Sequence, residues 1–258
     1  MREAVSAARA VTVDVAGEAG LPGGGVGFAH RLSPRSERIY GVTRGLERVL
    51  GALCEFDVAA TFYVPGVTAA AHPAAIRSIA ERGHEIGHHG HTHRSPETLA
   101  PEEQRAEIAD GLAALAGLGV EPQGYRAPAW ELTAVTLALL AEHGFATDSS
   151  LMADDRPYRL AVGERSLLEL PVHWTLDDAP YFSADLGSAG PLRVWMRELE
   201  LATAEERPIT LTLHPEIVGR PHRVDVLRRV LERATGLGMP TLTHAELAAA
   251  TRLRPAAP

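Results

Sequence analysis

Residues 10–15 read AVTVDV, an apolar, β-branched run carrying one carboxylate, Asp14, near its end. With no polar face of its own, the run predicts a strand buried on both sides, as in a parallel sheet covered by helices. Further strand candidates lie at 59–64 (AATFYV), 84–89 (HEIGHH), 124–128 (GYRAP), 145–150 (FATDSS), 167–172 (LLELPV), 208–214 (PITLTLH) and 240–244 (PTLTH). Between them TRGLERVLGALCEF, HPAAIRSIAERG, PEEQRAEIADGLAALAGLG, TAVTLALLAEHG, LRVWMRELELATAEE and HRVDVLRRVLERATGLG carry helical spacing, and most close on a glycine, the expected helix stop. Strands alternating with helices of this length predict a mostly parallel sheet wrapped by helices, and eight candidates suggest an α/β barrel, complete or not.

A chain of 258 residues that is 45% hydrophobic could fill one barrel or two small domains; no linker or internal repeat divides it, so a single domain over 1–258 is expected. Lys and Arg number 25 against 33 Asp and Glu, and the arginines are scattered, which argues against nucleic acid and anionic membrane as partners. Cys54 alone rules out an internal disulfide framework and fits a reducing compartment; within LGALCEF it reads as a small core hydrophobe. The opening MREAVSAARAVTVDV lacks the apolar stretch of a secretory signal, and no apolar run approaches a membrane span, so a cytoplasmic protein is expected.

In such barrels the reactive side chains gather where strands end. There the sequence places Asp14, the histidines His88, His89 and His93, then Arg126, Asp148, His173 and His214. The glycine-rich stretch 17–36, too long for an ordinary connection, reads as a lid or substrate loop leaving the first strand. GHEIGHHGHTHR (83–94) holds five of the twelve histidines. On a helical turn His89 and His93 would leave one face with Cβ atoms about 5–6 Å apart, close enough for both rings to reach one Zn²⁺. A polar loop that merely collects histidines is the other reading. Strand alternation sends His84 and His88 to the face opposite His89, and His91 points elsewhere. Asp14 reads either as a general base on water or as a structural carboxylate paired with Arg126, and His214, held by Pro215, either as an acid for a leaving amine or as a core histidine. Trp130 and Trp174 follow strand ends, where an indole could wall a pocket or pack the rim.

The motifs TVDV (12–15), ATFYVPG (60–66), GHEIGHHGHTH (83–93), GYRAPAWELT (124–133), LELPVHWTLDD (168–178) and TLTLHPE (210–216) resemble, in order, those of the polysaccharide deacetylase family, the NodB-homology group or carbohydrate esterase family four. RAPAWELT and HGFATDSSLM are similar to a subgroup holding peptidoglycan deacetylase homologues and metal-independent allantoinases. The resemblance implies a distorted (β/α) barrel, a homo-oligomer and hydrolysis of a carbon–nitrogen bond that is not a peptide bond. It makes Asp14 the catalytic base, Arg126 the residue orienting it, His214 the general acid, and His89 and His93 metal ligands for zinc or another divalent ion. WTLDDAPYF (174–182) resembles a subgroup segment near the pocket, where Asp177 and Asp178, the latter favoured, are either substrate contacts like Trp130 and Trp174 or simply part of a capped loop.

One position departs from the pattern. Where metal-binding members carry a second aspartate as third ligand, this chain has Ala16. Either Glu18 swings in, Asp14 itself ligates, the two histidines hold an ion weakly with water, or no catalytic metal binds. Three functions compete on these residues: removal of an acyl group from an amino sugar or small amine, metal-free hydrolysis of a small cyclic amide or ureide, and binding of a small molecule by a decayed enzyme.

Overall fold

The computed structural model describes residues 7–20, 31–183 and 189–251. Its strands are β1 (Arg9–Asp14), β2 (Thr61–Val64), β3 (Glu85–His88), β4 (Gly124–Tyr125), β5 (Thr147–Asp148), β6 (Tyr158–Val162), β7 (Arg165–Glu169) and β8 (Ile209–Leu213). They form one sheet in the order β6-β7-β5-β4-β3-β2-β1-β8, parallel throughout except for the antiparallel pair β6 and β7. The sheet curls without closing: β8 ends one edge and β6 the other, and the bridge Thr212–Asp177 lies beyond β8. The result is a half-barrel covered by helices, the distorted barrel that the motifs imply.

The central strands are buried on both faces, β1 and β8 along their whole length. Against them pack the helices Leu46–Glu55, Pro73–Glu81, Ala189–Ala204 and Pro221–Gly236, with Val13, Phe62, Leu50, Leu53, Trp195 and Leu231 in one apolar core. Each large side chain so buried contributes about 1.5–3 kcal/mol against exposure. A second cluster under the helix Pro101–Ala116 joins Ile108, Tyr125, Leu140 and Phe145. That helix starts with Pro101 in its first turn, and Glu103 reaches back to accept from the Ala100 N–H at 2.9 Å. Its interior Gly111 costs helix stability of about 1 kcal/mol relative to Ala. The gain is room: a β-carbon there would run into the His88 ring, whose Nε2 donates to the Ile108 carbonyl at 3.1 Å. His88 is thus turned toward the helices, as strand alternation requires.

Three expectations are corrected. Residues 240–244 form no strand: Thr241 makes a single bridge to Arg9, on the edge that β2 leaves open by pairing only from Thr12 onward, and Pro240 has no N–H to extend it. The chain then turns into the helix His244–Ala250, with the buried His244 ring hydrogen-bonded through Nδ1 to Tyr63 Oη at 2.7 Å and its amide donating to Thr61 Oγ1 at the start of β2 at 2.8 Å. The strand expected at 167–172 belongs to an unforeseen hairpin, β6 and β7, turned through Gly163 at φ +58°. Cys54 is exposed; Leu46, Val49, Leu50 and Leu53 take the buried face of their helix and leave Cys54 on its flank. Of the 17–36 stretch, Gly17–Gly20 is a 3₁₀ turn and Leu32–Tyr40 a helix, and 21–30 lie outside the described residues, so the lid expectation falls partly there. Among the described residues no helix is long and apolar enough to cross a membrane.

Beneath the strand ends Asp148 and Glu169 sit fully buried, paired in register on β5 and β7. Ser150 Oγ and the amides of Ser150 and Leu151 each donate to the pair at 2.9 Å. Burial, then the neighbouring Asp148 charge, pushes Glu169 up to about 11. Its folded value is above its unfolded one, so the stability it lends is complete below the ordinary carboxylate range and is lost as pH rises toward the folded value. We therefore expect urea unfolding at pH 5, 7 and 9 to show stability falling with pH. Glu169→Gln, which imitates the protonated acid, should flatten that slope; an equal slope in both proteins would refute a Glu169 kept protonated by burial.

Candidate active site

β1 delivers Asp14 to the C-terminal rim of the half-barrel at 3% exposure. Arg126, one residue past β4 and wholly buried, meets it: Nη1 donates to Asp14 Oδ1 and to Thr12 Oγ1, both at 2.8 Å. Nε donates to the Ser149 carbonyl at 3.0 Å, Nη2 to Ser149 Oγ at 2.9 Å, and the guanidinium lies 4.4 Å from the centre of the Tyr63 ring. So anchored, the cation has no freedom to leave the carboxylate. Burial alone would raise Asp14, but the charges of Arg126, His89 and His214 outweigh it and hold the carboxyl below its ordinary value. The pairing with Arg126 expected of a structural carboxylate is present, and the second oxygen, Oδ2, is not part of that bond.

His89 follows β3. Its Nδ1 donates to the Arg126 carbonyl at 2.8 Å, since a carbonyl can only accept, which leaves Nε2 as the unprotonated nitrogen 3.9 Å from Asp14 Oδ2. The His93 ring stands at 4.7 Å from it between centroids. The pair is adjacent, but no helical turn makes it so. Gly90 at φ +72° and His93 at φ +61° fold the chain back. Glu107, from the helix Pro101–Ala116, fixes that loop by accepting from the amides of His91 and Thr92 at 2.7 and 2.8 Å. Left-handed backbone at a histidine is strained and is kept where surrounding bonds enforce it. Burial is the leading cause that lowers both imidazoles, His93 well below its ordinary value, so both are neutral near pH 7.

His214 caps the end of β8. Its Nδ1 donates to Asp178 Oδ1 at 2.7 Å, its amide to Asp178 Oδ2 at 3.0 Å, and Asp177 Oδ1 is 3.6 Å away. Burial disfavours the charged ring, yet Asp177 and Asp178 together push it up to about 10. The two aspartates are held by what surrounds them. Trp195 Nε1 donates to the Thr175 carbonyl at 2.8 Å, Ala179 donates to Asp177 at 2.7 Å, and Asp177 bridges to Thr212 on β8. Asp178, expected at the substrate, is instead fully buried with both oxygens engaged by His214. Asp177 was not read as a partner of His214.

Trp130 and Trp174 stack at 4.3 Å between centroids, Trp174 with 47% of its surface open. Ala129 and Trp130 are both left-handed, at φ +57° and +59°. His173 faces outward and bonds Thr175, and Asp148 belongs to the carboxyl pair below. Neither joins the rim cluster. Arg38, which sequence reading did not single out, does approach it. Its guanidinium bonds the buried Glu216, two residues after His214, and its charge reaches His93.

The donor set does not suit a three-ligand metal centre. His89 and His93 offer two nitrogens, Asp14 has one oxygen bound by Arg126, and the place of the third ligand is the buried methyl of Ala16. Glu18, expected as a substitute ligand, is turned to His72 at 2.8 Å and faces Arg35 at 3.9 Å. Among the described residues, the group of three whose ligand atoms lie within 4.8 Å of one another is Asp177, Asp178 and His214, where Asp178 already holds the histidine. A catalytic zinc takes three protein ligands, and this rim supplies no dedicated third.

An ionised carboxylate and a protonated imidazole kept on one rim form the equipment of a hydrolase that uses water. The comparisons give that class a family. The family described as Polysaccharide deacetylase matches residues 40–147. A putative polysaccharide deacetylase from Mycobacterium smegmatis, known as a crystal structure, is 39% identical, covers 99% of this chain and 96% of its own, and superposes with a TM-score of 0.89. A peptidoglycan deacetylase of Helicobacter pylori is 27% identical over 224 residues, 73% of this chain and 76% of that protein. The Puue allantoinase structure shares the fold, with a TM-score of 0.87 over 97% of this chain and 91% of that one, at 20% identity. The chain belongs to the polysaccharide deacetylase family, hydrolases of carbon–nitrogen bonds other than peptide bonds.

Proposed function

We propose that the chain hydrolyses the amide of an acylated amine, releasing the acyl group from an amino sugar or small amine. One observation carries this reading: Asp14 is held ionised and His214 protonated within electrostatic reach of each other. Asp14 takes a proton from water; the resulting hydroxide adds to the carbonyl carbon, His214 gives its proton to the nitrogen, and the C–N bond breaks to leave a carboxylate and an amine. Arg126 orients the base, His89 and His93 offer neutral polar contacts, and the indoles of Trp130 and Trp174 wall the substrate. A second reading, hydrolysis of a small cyclic amide or ureide without metal, is favoured by Ala16 and by Glu18 bonding elsewhere. Assembly as a homo-oligomer, a single domain and a cytoplasmic location belong to the same proposal. They rest on the motif likeness, the unbroken alternation of elements and the lone cysteine.

The test is product detection by NMR on a panel of N-acetyl amino sugars, N-acylated small amines and cyclic ureides. Turnover of the acylated amines is expected. Turnover of ureides alone would transfer the assignment to the second reading, and none on any would overturn both.

The alkaline limb of activity follows from His214. With its proton held up to about pH 10, kcat/KM should stay level through neutral pH and fall near 10. Asp178 raises that value, so Asp178→Asn should draw the limb to lower pH. An unmoved limb in the variant would detach His214 from the protonation step.

A further inference from the structure

Ala16 is not an empty place. Its β-carbon and Arg38 Nη1 each lie 2.9 Å from the point where a β-carbon on Gly20 would stand. The methyl and the guanidinium therefore border the same space, which only glycine leaves open. Arg38 is carried there by the helix Leu32–Tyr40 and tethered by Glu216, which is buried on the turn following His214. The charge so held also disfavours the protonated form of the His93 ring. A carboxylate in place of Ala16 would come within ion-pairing reach of this guanidinium.

We infer that Arg38 is a built-in cation that takes the charge position of a divalent metal beside Ala16, keeping such ions out and offering that position to an anionic oxygen. This rests on the reading of Asp14, His89 and His93 as the active rim, but its test requires no turnover. Two like charges in a half-buried site repel, less so while Glu216 stays paired with Arg38, whereas a carboxylate oxygen there is attracted. Arg38 and Ala16 should then act as a coupled pair, which a double-mutant cycle measures.

The experiment is titration of the full chain with Zn²⁺ at pH 7, by calorimetry and by metal content after gel filtration. The proteins are wild type, Arg38→Gln, Ala16→Asp and the double variant, each checked for folding by circular dichroism. Ala16→Asp alone should gain less than about tenfold in Zn²⁺ affinity because its carboxylate pairs with Arg38. The double variant should gain at least about a hundredfold and hold near one equivalent, as a completed three-ligand site does. Acetate, the simplest carboxylate probe, should bind Arg38→Gln about tenfold more weakly than wild type. If Ala16→Asp alone binds Zn²⁺ as tightly as the double variant, the inference is wrong. It is equally overturned if Arg38→Gln melts lower while its Zn²⁺ and acetate affinities match wild type, for then the pair with Glu216 only ties two segments together. Failure to turn over acylated amines would overturn the proposed function and leave this result standing.

Discussion

Asp14→Asn is expected to lower kcat/KM by about 10³-fold, within the range found when a positioned general base is removed. Asparagine keeps the shape and can still accept from Arg126 Nη1, which donates to Asp14 Oδ1 at 2.8 Å in the native chain. What it loses is the ability to take a proton. Circular dichroism and gel filtration of the variant should match wild type, so that the loss is assigned to chemistry. Activity within tenfold of wild type would remove Asp14 from the proton-transfer step and make it the structural partner of Arg126 alone.

Arg126→Met acts mainly on stability. Arg126 and Asp14 are both buried, and removing one charge leaves the other uncompensated, at a cost of about 3–5 kcal/mol. For a chain of this size that corresponds to a fall in Tm of roughly 10 °C. The loss should depend on pH with a fixed sign. In the native chain the Asp14 value is depressed, so its stabilisation is present above the ordinary carboxylate range and lost as pH falls through the folded value. In the variant, burial is opposed only by His89 and His214 and the value rises, so the penalty grows as pH rises past the unfolded value. Melting curves at pH 5 and 8 check this: the gap between the two proteins should be wider at pH 8. A uniform gap would mean that the packing of the guanidinium against Tyr63, and not its charge, was lost.

The fold was legible where the physics is local. Apolar β-branched runs set β1, β2, β3 and β8, and a polar residue at the end of such a run has only the rim to occupy, which is how Asp14, His89, Arg126 and His214 came to be read together. The hairpin β6–β7 was not legible because its outer strand, Tyr158–Val162, is only half-buried and shows little apolar signal. The His89–His93 adjacency was expected for the wrong reason, since the spacing suits a helix and the structure uses two left-handed residues instead. Asp178 was misassigned to substrate because its true partner lies 36 positions away, brought close by Trp195 and by the bridge to Thr212. Arg38 carried no signal at all: its place depends on a small residue at Gly20 and on a buried acid, Glu216, far along the chain.

The departure at Ala16 is what separates this chain from the metal-binding pattern, and the structure gives it a physical setting: a methyl and a guanidinium border the place that the missing side chain of Gly20 leaves open. The proposed hydrolysis requires acid and base to be kept in opposite protonation states on one rim. The most direct measurement is an NMR titration of the His214 ring in the full chain from pH 5 to 11. It should show an imidazolium that persists through neutral pH and gives up its proton near 10. A His214 that titrates at or below the ordinary histidine value of about 6.5 would contradict it, because at working pH no proton would be held ready for the departing nitrogen.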